Sequence, residues 1–497
     1  MRRPATSSSR PHPIARIALV ACLLLALIGA TAGPAAAAPG KGESKAKPTR
    51  LDLDGDGRPN ARDRDVDGDG RMNGSDRDVD GDRRMNGRDL NVDGDRNRNA
   101  ADRDVDGDFR RNVADSDLDG DRLANDYDHD IDGDRTLNAF DADSDASGDP
   151  LIETAAATQA PADFVGLVSD DAFWGTNSDP GRSKTMAGIA ATGAKTLRQG
   201  FFWSIIEPRP GEYDFWLHDG YMVAAAQANL RVLPILFDPP GFRSSRPASG
   251  AKRGTYPPAS NAEFATFAAA LVARYGPNGE FWRQHPELPQ LPIRAWQVWN
   301  EPNIPQYWPG GPNPAAYAAM LRTVSHGIKA ADPEARVITA GINESELGIK
   351  LVPFLRGMYR AGAKGSFDTL AIHPYAPASD LVSAQITRAV RQLRRAGDDA
   401  RTLVTELGWA TGGDSKRALV VGEAGQAALI RRTLTQLAKN RDRLRLDGVY
   451  YFNWRDVTAE AGSSDHWGLH TGLLREDGSA KPAMQALTNT TRAVTVG

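Results

Sequence analysis

The segment Ile-Arg-Ala-Trp-Gln-Val-Trp-Asn-Glu-Pro-Asn, residues 293–303, joins an apolar run to a glutamate and a proline. Its β-branched and aromatic residues predict a strand that ends near Trp299, and Pro302 prevents the strand from continuing. Glu301 would then stand at the open end of a strand, at the mouth of a pocket. A second apolar pattern, residues 402–409, places Glu406 at the end of another predicted strand. The sequence therefore predicts two carboxylic acids at two strand ends.

Around this segment, short apolar strand patterns alternate with amphipathic helical patterns such as 261–275, 314–330, 384–396 and 423–439. The eight predicted strands are 164–168, 196–199, 231–237, 293–299, 336–342, 369–372, 402–405 and 448–452. This alternation over residues 163–492 predicts a (β/α)8 TIM barrel, an α/β fold. Catalytic residues of such barrels lie at the carboxyl ends of strands. Glu301 and Glu406 end the fourth and seventh predicted strands.

Two carboxyl groups at strand ends suit the acid-assisted cleavage of a glycosidic bond. One protonates the leaving oxygen, and the other meets the positive charge that develops on the sugar. The alternative for each glutamate is a surface salt bridge, which the strand context disfavours.

The two glutamates, the first preceded by Asn300, resemble those of glycoside hydrolase clan A. Residues 299–303, with Trp-x-x-x-Glu-Pro-x-x-Gly-x-Tyr-x-Phe at 203–215, are most similar to families 39 and 5. The resemblance spans the barrel and implies a retaining mechanism with Glu301 as general acid/base and Glu406 as nucleophile. Retaining enzymes hold the two carboxyl groups about 5 to 5.5 Å apart. The chemistry would need no cofactor.

The resemblance implies five further residues at the substrate site: Arg198, Asn300, His373, Tyr375 and Trp454. The arginine would keep Glu406 ionised, and the asparagine would bind the sugar 2-hydroxyl. The tyrosine would orient Glu406, and the tryptophan would form an aromatic floor beneath the sugar. The alternative for the arginine, the histidine and the two aromatic residues is a structural role inside the barrel.

Other aromatic residues near strand ends are candidate sugar platforms, with core packing as the alternative: Trp174, Trp203, Trp308, Trp409 and Trp467. Glu207 lacks a preceding Asn and is expected to be structural. Loop 238–260 carries the cations Arg243, Arg246, Lys252 and Arg253. These would favour an anionic polysaccharide if they faced the cleft, and otherwise form a solvated basic loop. Loop 456–467 adds three candidate substrate contacts: Asp456, Glu460 and Asp465.

The charge of the chain is divided unevenly. Residues 51–145 hold 30 Asp and 15 Arg, with no Glu or Lys, for a net charge of −15, whereas the remainder carries +11. Seven 13-residue repeats begin at positions 52, 65, 78, 91, 104, 117 and 130. The acidic balance argues against a nucleic-acid partner.

The first two repeats place oxygen ligands at the calcium-loop positions 1, 3, 5, 9 and 12, with Gly at position 6. These ligands are Asp52, Asp54, Asp56, Asn60 and Asp63, then Asp65, Asp67, Asp69, Asn73 and Asp76. The array resembles the calcium-binding aspartate repeats of thrombospondin type 3, which implies structural calcium and almost no hydrophobic core. Later repeats replace the glycine with Arg83, Arg96, Phe109, Arg122 and Arg135. The alternative is a disordered acidic spacer.

Residues 1–38 show the basic, apolar and small-residue regions of a secretory signal, too short for a membrane span. Cys22 lies within this segment and is the only cysteine, so no disulfide is expected; lipid anchoring through it is the alternative to cleavage. Residues 39–50 and 146–162 are predicted linkers. The sequence predicts a secreted hydrolase of a polysaccharide or oligosaccharide, with the array as a spacer or cell-wall attachment. A non-catalytic carbohydrate-binding adhesion protein and a transglycosylase are the alternatives.

Overall fold

The computed structural model describes residues 49, 52–95, 97–99, 102–112, 115, 117–122, 125, 128–133, 138, 159–175, 179–248, 254–413, 418–459 and 464–496. The predicted signal segment with Cys22, nearly all of linker 39–50 and most of linker 146–162 lie outside the described residues. So do Arg96, Arg135, Lys252, Arg253 and Glu460. Within the described part of the chain, no helix combines the length and apolar character needed to cross a bilayer.

Nine parallel strands form one closed sheet. They are β1 Val165–Val168, β2 Thr196–Phe202, β3 Arg231–Phe237, β4 Ala295–Val298, β5 Arg336–Ile338, β6 Ile342–Asn343, β7 Thr369–His373, β8 Arg401–Leu407 and β9 Leu446–Tyr451. The order is β5-β4-β3-β2-β1-β9-β8-β7-β6, and the pairing of β5 with β7 closes the barrel. The predicted fifth strand is interrupted and contributes both β5 and β6. The eight-stranded barrel expected from the sequence is confirmed.

Ten α-helices accompany the strands in the part of the chain that the structure describes. They are α1 Asp179–Ala191, α2 Trp203–Ile206, α3 Trp216–Gln227, α4 Asn261–Tyr275, α5 Glu280–Gln284, α6 Pro314–Ala331, α7 Leu351–Arg360, α8 Ser379–Arg395, α9 Gly422–Lys439 and α10 Pro482–Val494. Local sequence explains where the long helices begin. Ser260 caps α4 by accepting a hydrogen bond from the Glu263 amide. Asn313 caps α6, whose first residue is Pro314.

The barrel has two apolar layers. The larger cluster lies between the strands and the surrounding helices. A smaller inner cluster fills the barrel with side chains from alternate strand positions: Val168, Leu233, Ile338, Ala371, Leu403, Tyr450 and Phe452. The strands also carry the buried polar residues Arg198, Gln297, His373 and Thr405, of which Arg198 lies beside Val168 and Leu233 in the sheet register. This polar layer packs against the apolar cluster and faces the end of the barrel where loops form a cleft.

The acidic array has a narrow core of its own. The apolar residue at position 2 of six successive repeats is no more than 2% exposed: Val66, Val79, Val92, Val105, Leu118 and Ile131. Asn73 shows how a repeat is held, since its Oδ1 accepts from the Val66 amide and its Nδ2 donates to the Gly107 carbonyl, 34 residues ahead. Asn60 and Asn86 make the same long-range bond. Each of the first three repeats thus contacts the third repeat after it, as in a solenoid.

Candidate active site

Glu301 and Glu406 meet at the carboxyl end of the barrel. Glu406 belongs to β8, and Glu301 follows β4 with its backbone and that of Trp299 in the left-handed region, at φ 37° and 75°. Trp299 is anchored in this conformation by its amide, which donates to the Leu236 carbonyl, and by its indole, which donates to the Tyr307 carbonyl. One carboxylate oxygen of each glutamate and one ring nitrogen of His373 lie within 4.8 Å of one another.

Arg198 of β2 connects the two acidic strands. It is 1% exposed, and its guanidinium donates to Glu406 Oε1 at 2.6 Å, to Asn300 Oδ1 at 2.8 Å and to Gln297 Oε1 at 2.7 Å. Gln297 in turn donates to the Thr339 carbonyl and to Thr405 Oγ1. Because each donor has a fixed acceptor, the cation stays beside Glu406.

These contacts set the charge of Glu406. Burial alone would raise the pKa of its carboxyl group, but the neighbouring His373 and Arg198 and the hydrogen bonds from Arg198 and Tyr375 bring that pKa below its usual value. Tyr375 Oη donates to Glu406 Oε2 at 2.9 Å, as expected from the sequence. Glu406 is therefore held as a carboxylate with both oxygens bound.

His373, at the end of β7, lies between the glutamates. Its Nδ1 is 2.8 Å from Glu301 Oε1 and 3.5 Å from Glu406 Oε2, while Nε2 is 3.0 Å from Thr405 Oγ1. The Glu406 carboxylate on the Nδ1 side favours the tautomer with the proton on that nitrogen. Gly341, in the break between β5 and β6, makes room for the ring, because a Cβ there would lie 1.9 Å from Nε2. The interruption of the fifth strand thus serves the site.

Trp454 does not join this group. It is buried, and its ring edge lies against Gly188 of α1, in the layer between barrel and helices. The expectation that Trp454 forms the floor of the sugar site is therefore wrong in this structure. Gly188 leaves a gap that the indole fills. Phe452, two residues earlier, belongs instead to the inner cluster beneath the polar layer.

The other aromatic candidates with described side chains are buried: Trp203, Trp308, Trp409 and Trp467. Trp203 stacks on Phe264 and Phe267, which favours core packing over sugar binding. Trp467 packs edge-on against Tyr375 with 5.0 Å between ring centroids and so supports the tyrosine that holds Glu406. The side chain of Trp174 lies outside the described residues.

Arg243, one of the four cations of loop 238–260, is bound inside the protein. Arg243 donates to Glu207 Oε1 at 2.8 Å and also pairs with Glu263, while the buried Glu207 accepts from Trp203 and from the Gly211 amide. Glu207 is structural, as expected, and Arg243 is not a free cation in the cleft. Arg246 is exposed.

Asp456 was a candidate substrate contact, but it binds inside the protein. Its carboxylate accepts from the buried ammonium of Lys481 at 2.8 Å and from the Gly472 amide at 2.8 Å. The expectation of a substrate contact is therefore wrong, because the partner lies in the chain segment that leads to α10. Asp465 lies close to His470 Nε2, at 2.5 Å.

Three residues at the site went unnoticed in the sequence. Gln297 and Thr405 are polar residues within apolar strands, four residues before Glu301 and one residue before Glu406, and a polar residue in such a run is a usable signal. Asp170 follows β1, and its electrostatic neighbours include Glu406 and Arg198. Nothing in the sequence separates Asp170 from the adjacent Asp171.

The array forms clusters of carboxylates. One oxygen from each residue lies within 4.8 Å of the others in the groups Asp52/Asp54/Asp56, Asp65/Asp67/Asp69, Asp78/Asp80/Asp82 and Asp93/Asp95/Asp102. Burial, reinforced by neighbouring aspartates, raises the pKa of Asp93 to about 8 and that of Asp119 to about 9. Asp89, at position 12 of its repeat, is 4% exposed and its Oδ2 has no hydrogen-bond partner in the described structure. These residues fit a hard cation that supplies the missing positive charge.

The loops keep their turn without glycine. Gly57 and Gly70 have φ of 96° and 95°, and Arg83, Phe109 and Arg122 adopt 75°, 72° and 76° at the same repeat position. A side chain in this conformation costs about 1–2 kcal/mol relative to glycine. The third, fifth and sixth repeats therefore present their carboxylates on the same left-handed turn as the first two.

Comparisons with known proteins bear on the fold. No family model and no curated protein matches the sequence. A monomeric β-xylosidase from Caulobacter crescentus superposes with a TM-score of 0.50 and 16% identity, over 68% of this chain and 69% of that one. A family 39 glycoside hydrolase from Bacteroides cellulosilyticus gives 0.46 and 22%, over 67% of this chain and 64% of that one, just under two thirds of its length. An exo-β-1,4-mannosidase from an Opitutaceae bacterium gives 0.48 and 18%, over 69% and 61%. The similarity to the β-xylosidase establishes the barrel fold.

Proposed function

We propose that this chain is a secreted retaining glycoside hydrolase that cleaves β-linked O-glycosidic bonds in an extracellular polysaccharide or oligosaccharide. The observation that carries the proposal is the pair Glu301 and Glu406, with oxygens within 4.8 Å and Arg198 bound to Glu406. An inverting pair needs about 6.5–9.5 Å to admit water between the sugar and the base. The closer spacing favours direct attack by a carboxylate.

In the first step, an oxygen of Glu406 attacks the anomeric carbon while the bond to the leaving oxygen breaks. Glu301 gives its proton to that oxygen, so the leaving sugar departs as a neutral alcohol. Arg198 and Tyr375 keep Glu406 ionised and aimed before the attack. Because the oxygen of Asn300 accepts from Arg198, its NH2 group remains to donate to the sugar 2-hydroxyl.

In the second step, water replaces the departed alcohol. Glu301, now a carboxylate, takes a proton from the water as the hydroxyl adds to the anomeric carbon, and the bond to Glu406 breaks. His373 lies at hydrogen-bond distance from Glu301 and orients it for both proton transfers. The product keeps the configuration of the substrate, and both glutamates return to their starting protonation states.

The decisive experiment is a product screen of the mature protein, with calcium, on β-linked polysaccharides and aryl glycosides, with the anomer identified by NMR. The wild type should release a product of retained configuration, and Glu406→Gln should abolish turnover. Inverted products would refute the retaining mechanism, and full activity of the variant would refute the nucleophile. Sugar-extended products would show a transglycosylase, and glycan binding without turnover would show the adhesion protein.

The substitution Glu301→Ala tests the role of Glu301 as general acid independently of the role of Glu406 as nucleophile. Aryl glycosides with acidic phenols need little proton donation, so their cleavage should fall far less than that of natural glycans. Equal losses on both substrates would contradict the role of Glu301 as the acid.

We further propose that calcium binds the array and stabilises it. The first two repeats would hold it through Asp52, Asp54, Asp56, Asn60, Asp63, Asp65, Asp67, Asp69, Asn73 and Asp76. The bound cation would supply positive charge to carboxylates that burial otherwise disfavours. Calcium near 1 mM should raise the unfolding temperature of the array in the full-length mature protein, and titration calorimetry should show binding. A chelator that changes neither observable would refute the proposal.

Export would place the enzyme and its array outside the cell, where calcium is abundant. The N-terminal sequence of the mature protein, recovered from the medium, tests this. A start after residue 38 supports export, and a lipid-modified Cys22 in the membrane fraction would instead establish anchoring.

A further inference from the structure

The side-chain amide of Gln297 is held in one orientation by its partners. Its Oε1 accepts from Arg198 Nε at 2.7 Å, and its Nε2 donates to the Thr339 carbonyl at 3.1 Å and to Thr405 Oγ1 at 3.3 Å. A guanidinium nitrogen only donates and a carbonyl oxygen only accepts, so exchanging the oxygen and nitrogen of this amide would break the first two bonds. Gln297 is therefore a donor to Thr405.

The hydroxyl group of Thr405 transmits this order to His373. Because Thr405 Oγ1 accepts from Gln297, its own hydrogen remains to be donated. Among the residues that the structure describes, the remaining hydrogen-bond partner of this hydroxyl is His373 Nε2, at 3.0 Å. Both side chains are buried, and buried polar groups are hydrogen-bonded as a rule. Nε2 therefore accepts, and the single proton of a neutral ring lies on Nδ1.

The proton on Nδ1 determines how Glu301 can act as an acid. His373 Nδ1 is 2.8 Å from Glu301 Oε1, so in this tautomer the ring donates to that oxygen. The acidic proton of Glu301 then lies on Oε2, from which it can pass to the leaving oxygen. In the other tautomer, Nδ1 would be an acceptor at the same distance and would bind the acidic proton itself. The Nδ1 proton also places the positive end of the ring beside Glu406 Oε2, at 3.5 Å.

We propose that Thr405 is a positioning residue, which keeps the proton of His373 on Nδ1 and so keeps the acidic proton of Glu301 available to the leaving oxygen. This role presupposes the proposed hydrolase function. It also extends the role of Arg198, because this cation fixes Gln297, which in turn fixes Thr405. The cation that holds the nucleophile thus also sets the donor that faces the acid.

The test compares Thr405→Val with Thr402→Val in the full-length mature protein with calcium. Thr402 is a matched control, since it is a buried residue of the same strand whose hydroxyl donates to the Leu444 carbonyl at 2.7 Å. The values of kcat/KM are measured on an alkyl glycoside, whose leaving oxygen needs the acid, and on an aryl glycoside with an acidic phenol, which needs it little.

Thr405→Val should lower kcat/KM by about tenfold on the alkyl glycoside and by less than about twofold on the aryl glycoside. Thr405→Ser keeps the hydroxyl and should restore the ratio of the two values. Thr402→Val should leave that ratio unchanged. Equal losses of Thr405→Val on the two glycosides would assign Thr405 a purely structural role and overturn the inference.

A second measurement observes the ring directly. In protein with isotope-labelled histidine at neutral pH, hydrogen–nitrogen correlation spectra show which ring nitrogen carries the proton, and the signals lost in His373→Gln identify this ring. The wild type and Thr402→Val should show His373 protonated on Nδ1 alone. Thr405→Val should show a fraction of rings with the proton on Nε2.

The spectrum needs no substrate, so it separates this inference from the proposed function. A wild-type ring protonated on Nε2, or on both nitrogens, would overturn the inference even if Thr405→Val failed to fold. Protonation on Nδ1 in a wild type that cleaves no glycoside would support the proton order and count against the hydrolase.

Discussion

Replacing Tyr375 with Phe removes one hydrogen bond from the nucleophile and little else. Tyr375 Oη donates to Glu406 Oε2 at 2.9 Å, and the ring is held by Trp467. The phenylalanine ring keeps that packing, so the change is confined to one donor. Hydrogen bonds to charged groups contribute about 1.5–3 kcal/mol. Since about 1.4 kcal/mol corresponds to a factor of ten, kcat/KM at acidic pH should fall by about tenfold to hundredfold, and the pKa of Glu406 should rise in the variant.

The direction of the change in the pH profile follows from the protonation state in which Glu406 reacts. Glu406 attacks as a carboxylate, and its pKa lies below the usual value in the wild type because His373, Arg198 and Tyr375 outweigh burial. Loss of the Tyr375 hydroxyl raises that pKa, so the acidic limb of the kcat/KM profile should move to higher pH. Activity should fall most at low pH and recover partly above the new pKa. The assay is the pH dependence of kcat/KM on the best aryl glycoside.

Tyr359→Phe is the matched control. Tyr359 Oη also donates to a carboxylate, Asp398 Oδ2 at 3.0 Å, in the segment between α8 and β8 before the strand begins. This variant should lose stability but keep the wild-type pH profile. An unshifted acidic limb in Tyr375→Phe, or an equal shift in the control, would refute the assignment of that limb to Glu406.

Three further changes test other parts of the molecule. Arg83→Gly relieves a residue at φ 75° and should stabilise the array by about 1 kcal/mol in thermal unfolding, whereas Arg84→Gly, one residue further on, should not. Val92→Ala opens a gap in the row of buried position-2 residues and should lower the free energy of unfolding in urea by about 2 kcal/mol. An unchanged midpoint would show that these residues do not stabilise the array. Arg243→Gln leaves the buried Glu207 without its cation and should lower the free energy of unfolding by about 3 kcal/mol. The preference between neutral and anionic glycosides should stay unchanged. A change in that preference would place Arg243 in the cleft.

The barrel could be predicted from the sequence because its signals are local. Parallel strands buried on both faces give continuous apolar runs, and the predicted limits of β3 and α4 agree with the structure residue for residue. The break in the fifth strand could not be predicted in this way. It depends on the ring of His373, which comes from β7 and needs the space beside Gly341. A contact between distant segments carries no local signal.

The same contrast, between local signals and contacts between distant segments, explains which site residues could be predicted from the sequence. Glu301, Glu406, His373 and Tyr375 stand at or close to strand ends and converge because of the barrel itself, and Arg198 reaches them from within β2. Trp454 also follows a strand, yet its indole turns outward because Gly188 of α1 leaves room there. Asp456 is bound by Lys481 from the approach to the last helix. Side chains whose direction depends on a distant partner need the structure.

The array differs from the barrel, because its repeats can be recognised in the sequence but the packing between the repeats cannot. The position-2 residue of each repeat has no apolar neighbour in sequence, and it becomes buried only when the chain returns after three repeats. Local hydrophobicity therefore underestimates the core of such a solenoid. The conserved left-handed turn is equally hidden, since Arg83 and Phe109 replace glycine without changing the conformation.

Both parts of the chain concentrate negative charge. Residues 51–145 carry −15, and the carboxyl end of the barrel brings Glu301 and Glu406 together. Both parts repel polyanions when no cation is bound. One divalent cation per repeat would bring the array from −15 to about −1, so calcium would remove the repulsion at the array and leave it at the cleft. An anionic surface would then hold the array in calcium while the cleft acts on its substrate. Attachment and catalysis would thus respond differently to a chelator, with attachment lost and turnover of a small aryl glycoside retained.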